Sequence, residues 1–210
     1  MLPLRMTLSG AIGIRAGLRR DSITLDFSEI PDDAVSVAIC GDNGTGKSTI
    51  LNLGMVPWRE PPHIGDIYAQ FGHEGRRELA FEHGGEEYRS VITYKQTAKS
   101  KKTTAVLYVE YGGGGYSDPE SVPYKMLDGT ESDGKTSTYD ACLEELLGPQ
   151  SLYYLAAFRH QGIAPLAGHS DPKSLMRDLL ALEEPERLSA QAKAVARVRL
   201  LRALEALAPP

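Results

Sequence analysis

The run Gly41-Asp42-Asn43-Gly44-Thr45-Gly46-Lys47-Ser48-Thr49 has the residue types, at the spacing, that a loop needs to wrap a chain of phosphates. Gly41, Gly44 and Gly46 let the backbone bend where a Cβ would clash, so that successive N–H groups, those of Asn43 and Thr45 included, can turn inward as an anion nest. Lys47 brings a mobile cation to the outer phosphates and is the catalytic candidate of the loop. The Ser48 hydroxyl is placed to ligate magnesium, Thr49 can add a second hydroxyl, and a helix starting near Lys47 adds the positive end of its dipole. The chemistry these residues point to is the binding of a nucleoside triphosphate, ATP, with Mg2+.

Such a loop must be delivered by a strand and leave through a helix. Val35 to Cys40 reads as a buried strand directly upstream, and Ser48 to Leu53 reads as the first turns of the helix. Two β-branched segments, Met6 to Ile14 and Ser22 to Phe27, flank the basic turn Arg15 to Arg20 and predict a hairpin ahead of that strand. Pro57, Pro61 and Pro62 require the helix to have ended. Alternation then returns over residues 77–82, 87–94 and 104–110, which predicts an antiparallel meander with a tight turn at His83-Gly84-Gly85-Glu86 and a basic loop over Lys95 to Lys102.

Gly112 to Gly115 is a flexible tip, and residues 117–136 show no sustained period. Ser137 or Thr138 can cap a helix through Leu147, stopped by Gly148-Pro149, and a short segment from Leu152 to Phe158 follows. From Pro172 the pattern changes to one long leucine- and alanine-rich helix with Leu175, Leu179, Leu182, Leu188, Ala192 and Val195 on one stripe. That stripe suits either a core-facing helix or the start of a coiled coil. The fold class implied is α/β with α+β character: a β-meander beside a sheet that bears the phosphate loop.

Composition narrows the field. At 210 residues and 41% hydrophobic content the chain can form one ordinary core with an appendage. A net charge of −5 excludes a uniformly basic nucleic-acid binder, though lysines at 95, 99, 101 and 102 could touch a DNA backbone locally. Cys40 and Cys142 are expected as buried thiols, and the five histidines show no metal-ligand spacing. No run is long and apolar enough for a membrane span, and no secretory signal is evident, so the expected compartment is the cytoplasm.

In this order the elements resemble the N-terminal half of the ATPase head of an SMC-like DNA-repair ATPase, the SbcC family. The phosphate loop is similar to the form used by ABC, SMC and RecF-type ATPases, Glu78 to Arg89 resembles the family's paired strands, and Phe158-Arg159-His160-Gln161-Gly162 looks like its Q-loop. The resemblance implies that residues 1–170 are half of a head and 171–210 the helix leading into a coiled coil. It makes Gln161 a second catalytic and magnesium ligand, puts Arg15 near the nucleotide phosphates and brings Ala69-Gln70-Phe71 toward the base or sugar. The implied partners are the C-terminal half of the same ATPase, a second head engaged on ATP binding, an SbcD-type nuclease, and DNA.

The family's signature Ser-Gly-Gly segment and Walker B Asp-Glu pair are not found in this sequence: Leu8-Ser9-Gly10 lies on an early strand, and the apolar run ending in Glu110 has Val109, not aspartate, directly before the glutamate. Hydrolysis is therefore expected only once a complementary half is supplied. Two other readings remain open, a stand-alone P-loop kinase and a nucleotide-gated DNA clamp that binds without turnover. A kinase predicts a parallel sheet, which the meander does not.

Overall fold

A computed structural model describes residues 1–28, 30, 31, 34, 36–111 and 120–156. The chain divides into two units, Met1–Gly148 and Pro149–Pro210. Only α4, Gln150–Ala156, is described in the second, so Gln161, the Q-loop, the expected boundary near residue 170 and the long helix all lie outside the described residues.

The first unit is a six-stranded, wholly antiparallel sheet of order β2-β1-β3-β4-β5-β6, with few helices. Its strands are β1 (Leu2–Ala11), β2 (Ser22–Asp26), β3 (Phe71–His83), β4 (Glu86–Gln96), β5 (Lys101–Tyr111) and β6 (Glu120–Pro123). The alternation in the sequence becomes the register. Leu8, Arg77 and Ile92 lie in one row and Met6, Leu79, Ser90 and Leu107 in the next, all fully or nearly fully buried on one face. The β3–β4 turn is tight because Gly84 and Gly85 both take left-handed backbone angles, φ 64° and 85°.

The opposite face is closed by charge. Glu78 bonds Arg76 and Arg89, and Arg89 reaches Glu110 at 2.5 Å and the Ser121 hydroxyl at 2.6 Å, so one network crosses four strands. Burial opposes ionisation of Glu78, yet the two arginines outweigh it and hold its carboxyl below the usual range.

Against the buried face lie α3 (Thr136–Leu147), through Tyr139, Cys142 and Leu143, and the segment that leaves the phosphate loop, through Leu53, Val56, Pro57 and Trp58. Arg77 joins that segment to the sheet. Its guanidinium, 3% exposed, donates to the carbonyls of Val56, Trp58 (3.0 Å) and Arg59 (3.3 Å) and to the Tyr94 hydroxyl (2.9 Å). Among the described residues no carboxylate pairs with it; carbonyl dipoles take the place of water. The Tyr94 hydroxyl donates in turn to the Arg59 carbonyl, and Tyr139 donates to that of Pro57 while accepting from Ser90 at 2.6 Å. Arg59 is tied to Asp140 of α3 at 2.8 Å.

Several expectations need correction. Residues 36–40 do not form the strand predicted to deliver the loop: they pair with nothing among the described residues, and Val37 and Cys40 are exposed. The sheet expected to bear the phosphate loop is accordingly not formed there. A strand persists only where a neighbour takes its N–H and C=O groups, and this run lies outside the six-stranded ladder. The basic turn 15–20 is instead the helix α1 (Ile12–Leu18), closed by Arg19 in the left-handed region at φ 54°. Burial of Ile14 explains why a segment with two interior glycines is helical at all. At α3 the start comes at Thr136, and Asp133, not Ser137 or Thr138, organises it by accepting from the Lys135 N–H and the Thr138 hydroxyl. Gly148 ends it as expected. No helix among the described residues is long and apolar enough to cross a membrane.

Replacing Arg77 with methionine keeps an apolar stem but removes the donors, and leaving buried acceptors unmet costs about 1–3 kcal/mol each. The expected loss is roughly 3–5 kcal/mol of unfolding free energy; a urea midpoint within 0.1 M of wild type would show that the carbonyls find other donors. A second outcome concerns alkali. Burial raises the Tyr94 and Tyr139 hydroxyls, and burial with the neighbouring Glu145 carboxylate pushes Tyr124 up to about 12. Raised folded values mean that stability is intact below the unfolded tyrosine value near ~10 and falls as pH rises through the folded ones. Melting temperature should therefore drop steadily above pH ~10, and Tyr124→Phe should flatten that slope; a parallel slope would contradict the assignment.

Candidate phosphate-binding site

The loop enters its helix through Gly46, which takes φ 87° and caps α2 (Lys47–Thr49). The turn then widens over Ile50–Gly54, where the Met55 N–H reaches the Ile50 carbonyl at 3.1 Å, five residues back. Gly54 permits this exit: a Cβ there would stand 2.6 Å from Met6 Sδ on β1.

Within the loop the Asp42 carbonyl is a hub. It accepts from the Thr45 hydroxyl at 2.8 Å, from Lys47 Nζ at 2.7 Å and from the Thr45 N–H at 3.4 Å. Lys47 Nζ also donates to the Gly41 carbonyl at 2.7 Å, so its side chain bridges the loop entrance. An ammonium has three donors, and two are used. The remaining N–H is available to an anion in front of the loop.

The backbone points the same way. Among the described residues, the N–H groups of Asn43, Gly44, Gly46, Lys47 and Ser48 make no hydrogen bond within the chain. Asn43, Gly44 and Ser48 are exposed, and nothing lies within 4 Å of the position a Gly44 Cβ would take. A run of unengaged donors on an open, glycine-rich loop, beside a lysine with a donor to spare, has the chemistry that phosphate oxygens require. A magnesium ion suits Ser48, since this cation keeps several waters and takes few protein ligands. Among the described residues no cluster of three or more His, Cys, Asp and Glu could hold a metal by itself.

The loop rests on α1. Gly13 and Gly17, four residues apart on one helix face, come so close that a Cβ on Gly17 would lie 2.2 Å from the Gly44 carbonyl oxygen and 2.8 Å from Thr45 Cα. One on Gly13 would lie 2.2 Å from Thr49 Oγ1. Ile14, fully buried, supports the loop at Gly46. Sequence reading missed all three. The available signal was the Gly-x3-Gly spacing at 13 and 17, hidden because glycine inside a helix costs about 1 kcal/mol and reads as a turn.

Other candidates are placed as follows. Asn43, Gly44, Thr45, Gly46, Lys47 and Ser48 sit together on the loop and the start of α2, while the Thr49 hydroxyl lies against Gly13. Arg15 sits on α1 and bonds Asp21 at 2.9 Å; among the described residues no hydrogen bond joins it to the loop. Phe71 is a core residue stacked on Tyr94 at 4.9 Å, with Ala69 and Gln70 exposed beside it. Of the lysine cluster, Lys95 pairs with Glu74 and Lys101 with Asp66, which halves the charge offered to a polyanion. Lys99 and Lys102 have no ion pair among the described residues.

No protein-family model matches the chain, and no curated protein is significantly similar to it. The functional reading therefore rests on the residues and geometry above.

Proposed function

We propose that this chain binds MgATP on the 41–49 loop and is the phosphate-loop half of an SMC-like ATPase head of the SbcC type. The observation that carries the nucleotide reading is the set of backbone donors at Asn43, Gly44, Gly46, Lys47 and Ser48, unengaged among the described residues, beside the Lys47 ammonium. When bound, magnesium supplies charge neutralisation at the outer phosphates. Loop amides would wrap the phosphate tail, Lys47 would offer its remaining N–H to a phosphate oxygen, and the Ser48 hydroxyl would hold the ion. The antiparallel meander, the arrangement expected of the head, supports it over a stand-alone kinase, for which a parallel sheet is expected; among the described residues the sheet is antiparallel throughout.

The remaining parts of the reading come from resemblance. Gln161 would orient the attacking water, a second segment would bring the signature and Walker B residues, and ATP would join two heads to regulate an SbcD-type nuclease on DNA. γ-Phosphate contacts made in only one state would drive that equilibrium. The alternative of a non-hydrolysing clamp differs in turnover, not in binding.

Calorimetry with MgATP should give saturable binding to wild type, and Lys47→Ala should weaken it about 10–100-fold, the worth of one charge-assisted hydrogen bond. Equal affinity of the two proteins would remove the loop from the site. With a complementary signature-bearing half added, Gln161→His should keep affinity within about threefold yet slow single-turnover hydrolysis at least about tenfold, the scale on which a positioned group contributes. Unchanged turnover would refute the role of Gln161, and binding without any turnover of wild type would favour the clamp.

A further inference from the structure

We infer that helix α1 is the positioning element of the phosphate loop, with Gly17 the residue that sets the height of the Gly44–Thr45 backbone. This rests on the nucleotide reading proposed above and extends it to a part of the chain outside the loop motif. Gly17 has no other evident use. It sits inside a helix, where alanine would be better by about 1 kcal/mol, and its φ is not in the left-handed region that demands glycine. What it permits is contact: a methyl group there would stand 2.2 Å from the Gly44 carbonyl oxygen, and 2.8 Å from both Thr45 Cα and the Thr45 carbonyl carbon. All of these are main-chain atoms, which cannot rotate out of the way as the end of a side chain can. A Cβ on Gly13 meets chiefly the Thr49 hydroxyl, which can turn, so the two glycines differ in consequence.

α1 is itself anchored. Ile14 is fully buried, Gly10 at its base donates to the Asp21 carbonyl at 2.8 Å, and a Cβ on Gly10 would lie 2.1 Å from the Glu74 carbonyl oxygen of β3. The helix cannot retreat without disturbing β1 and β3. The added methyl of Gly17→Ala must therefore move the loop and not the helix. A displaced Gly44–Thr45 segment turns the free amides of Gly44 and Gly46 away from the phosphate positions, and geometric errors of about 1 Å in a preorganised site are costly.

The effect separates stability from binding. Gly17→Ala in the full chain should melt within about 3 °C of wild type without ligand, since helix propensity offsets the contact, while affinity for MgATP and for inorganic tripolyphosphate falls at least tenfold. In nucleotide-free protein the amide resonances of Gly44, Thr45 and Gly46 should shift more than those of the β3–β4 turn. Gly13→Ala should give a smaller loss, and Gly65→Ala, where a Cβ meets open space, none. A wild-type-like affinity with unmoved loop resonances in Gly17→Ala would overturn the inference. Moved resonances in a protein whose wild type binds neither probe would instead leave α1 as the loop's support and refute the nucleotide reading. If Gly17→Ala fails to fold, the inference stands or falls on Gly13→Ala, whose loop resonances and affinity must both change.

Discussion

The guanidinium of Arg77 is buried with no carboxylate partner among the described residues, and four oxygens replace the water it has lost: the carbonyls of Val56, Trp58 and Arg59, and the Tyr94 hydroxyl. Burying a charge this way is tolerable only if every donor direction but one finds an acceptor, and Nε is the one left over. Those carbonyls belong to a stretch with no regular secondary structure, which would otherwise hide unsatisfied groups beneath α3. Cation and carbonyls are each other's solution. Through Arg77, Tyr94 and Tyr139, the chain leaving the glycine-rich 41–49 loop is fixed to the middle of a sheet rather than draped over it.

This fixes the back of the loop, and α1 fixes its underside. Between Gly46 and Val56 the chain has only α2 and one wide turn, too short a helix to hold its orientation by its own hydrogen bonds. The orientation comes from Gly54 pressed on Met6, from Leu53 and Ile50 in the core, and from the α1 glycines on the underside. The exposed entrance, residues 36–40, contributes nothing comparable. The loop is thus held from the helix side, the reverse of a loop hung from a central strand.

The meander was legible because its code is local. Alternation over residues 77–82, 87–94 and 104–110 survives as the buried rows of β3, β4 and β5, and His83 to Glu86 names its own turn. Boundaries were underestimated: β3 begins at Phe71, where Gly72 and Gly75 blur the period. The strand expected over Val35 to Cys40 failed over residues 36–40 for the opposite reason. Its apolar run states a preference for a buried strand, but whether a partner exists to accept it is a non-local fact that no window of residues contains. Arg77 was equally opaque, because a polar residue inside an apolar alternation looks like an interruption until its carbonyl partners are known. For the site, Lys47 and its glycines declared themselves by spacing, whereas Gly13 and Gly17 carry meaning only through what they touch.

The departures from local preference are not scattered. Two glycines inside α1, Arg19 at φ 54°, the widened turn at Ile50–Gly54 and the buried Arg77 all lie in or against the segments that surround residues 41–49. The meander beyond them, from the β3–β4 turn through β5, obeys alternation, keeps its two glycines, Gly84 and Gly85, in that turn and closes its outer face with paired charges. A chain relaxes its local preferences where some other requirement outweighs them, and here the departures border an open loop whose N–H groups at Asn43, Gly44, Gly46, Lys47 and Ser48 are unengaged among the described residues. Filling those donors internally would be the cheaper arrangement for stability alone. That the fold spends helix propensity and buries a cation while leaving them free supports a ligand as the missing acceptor.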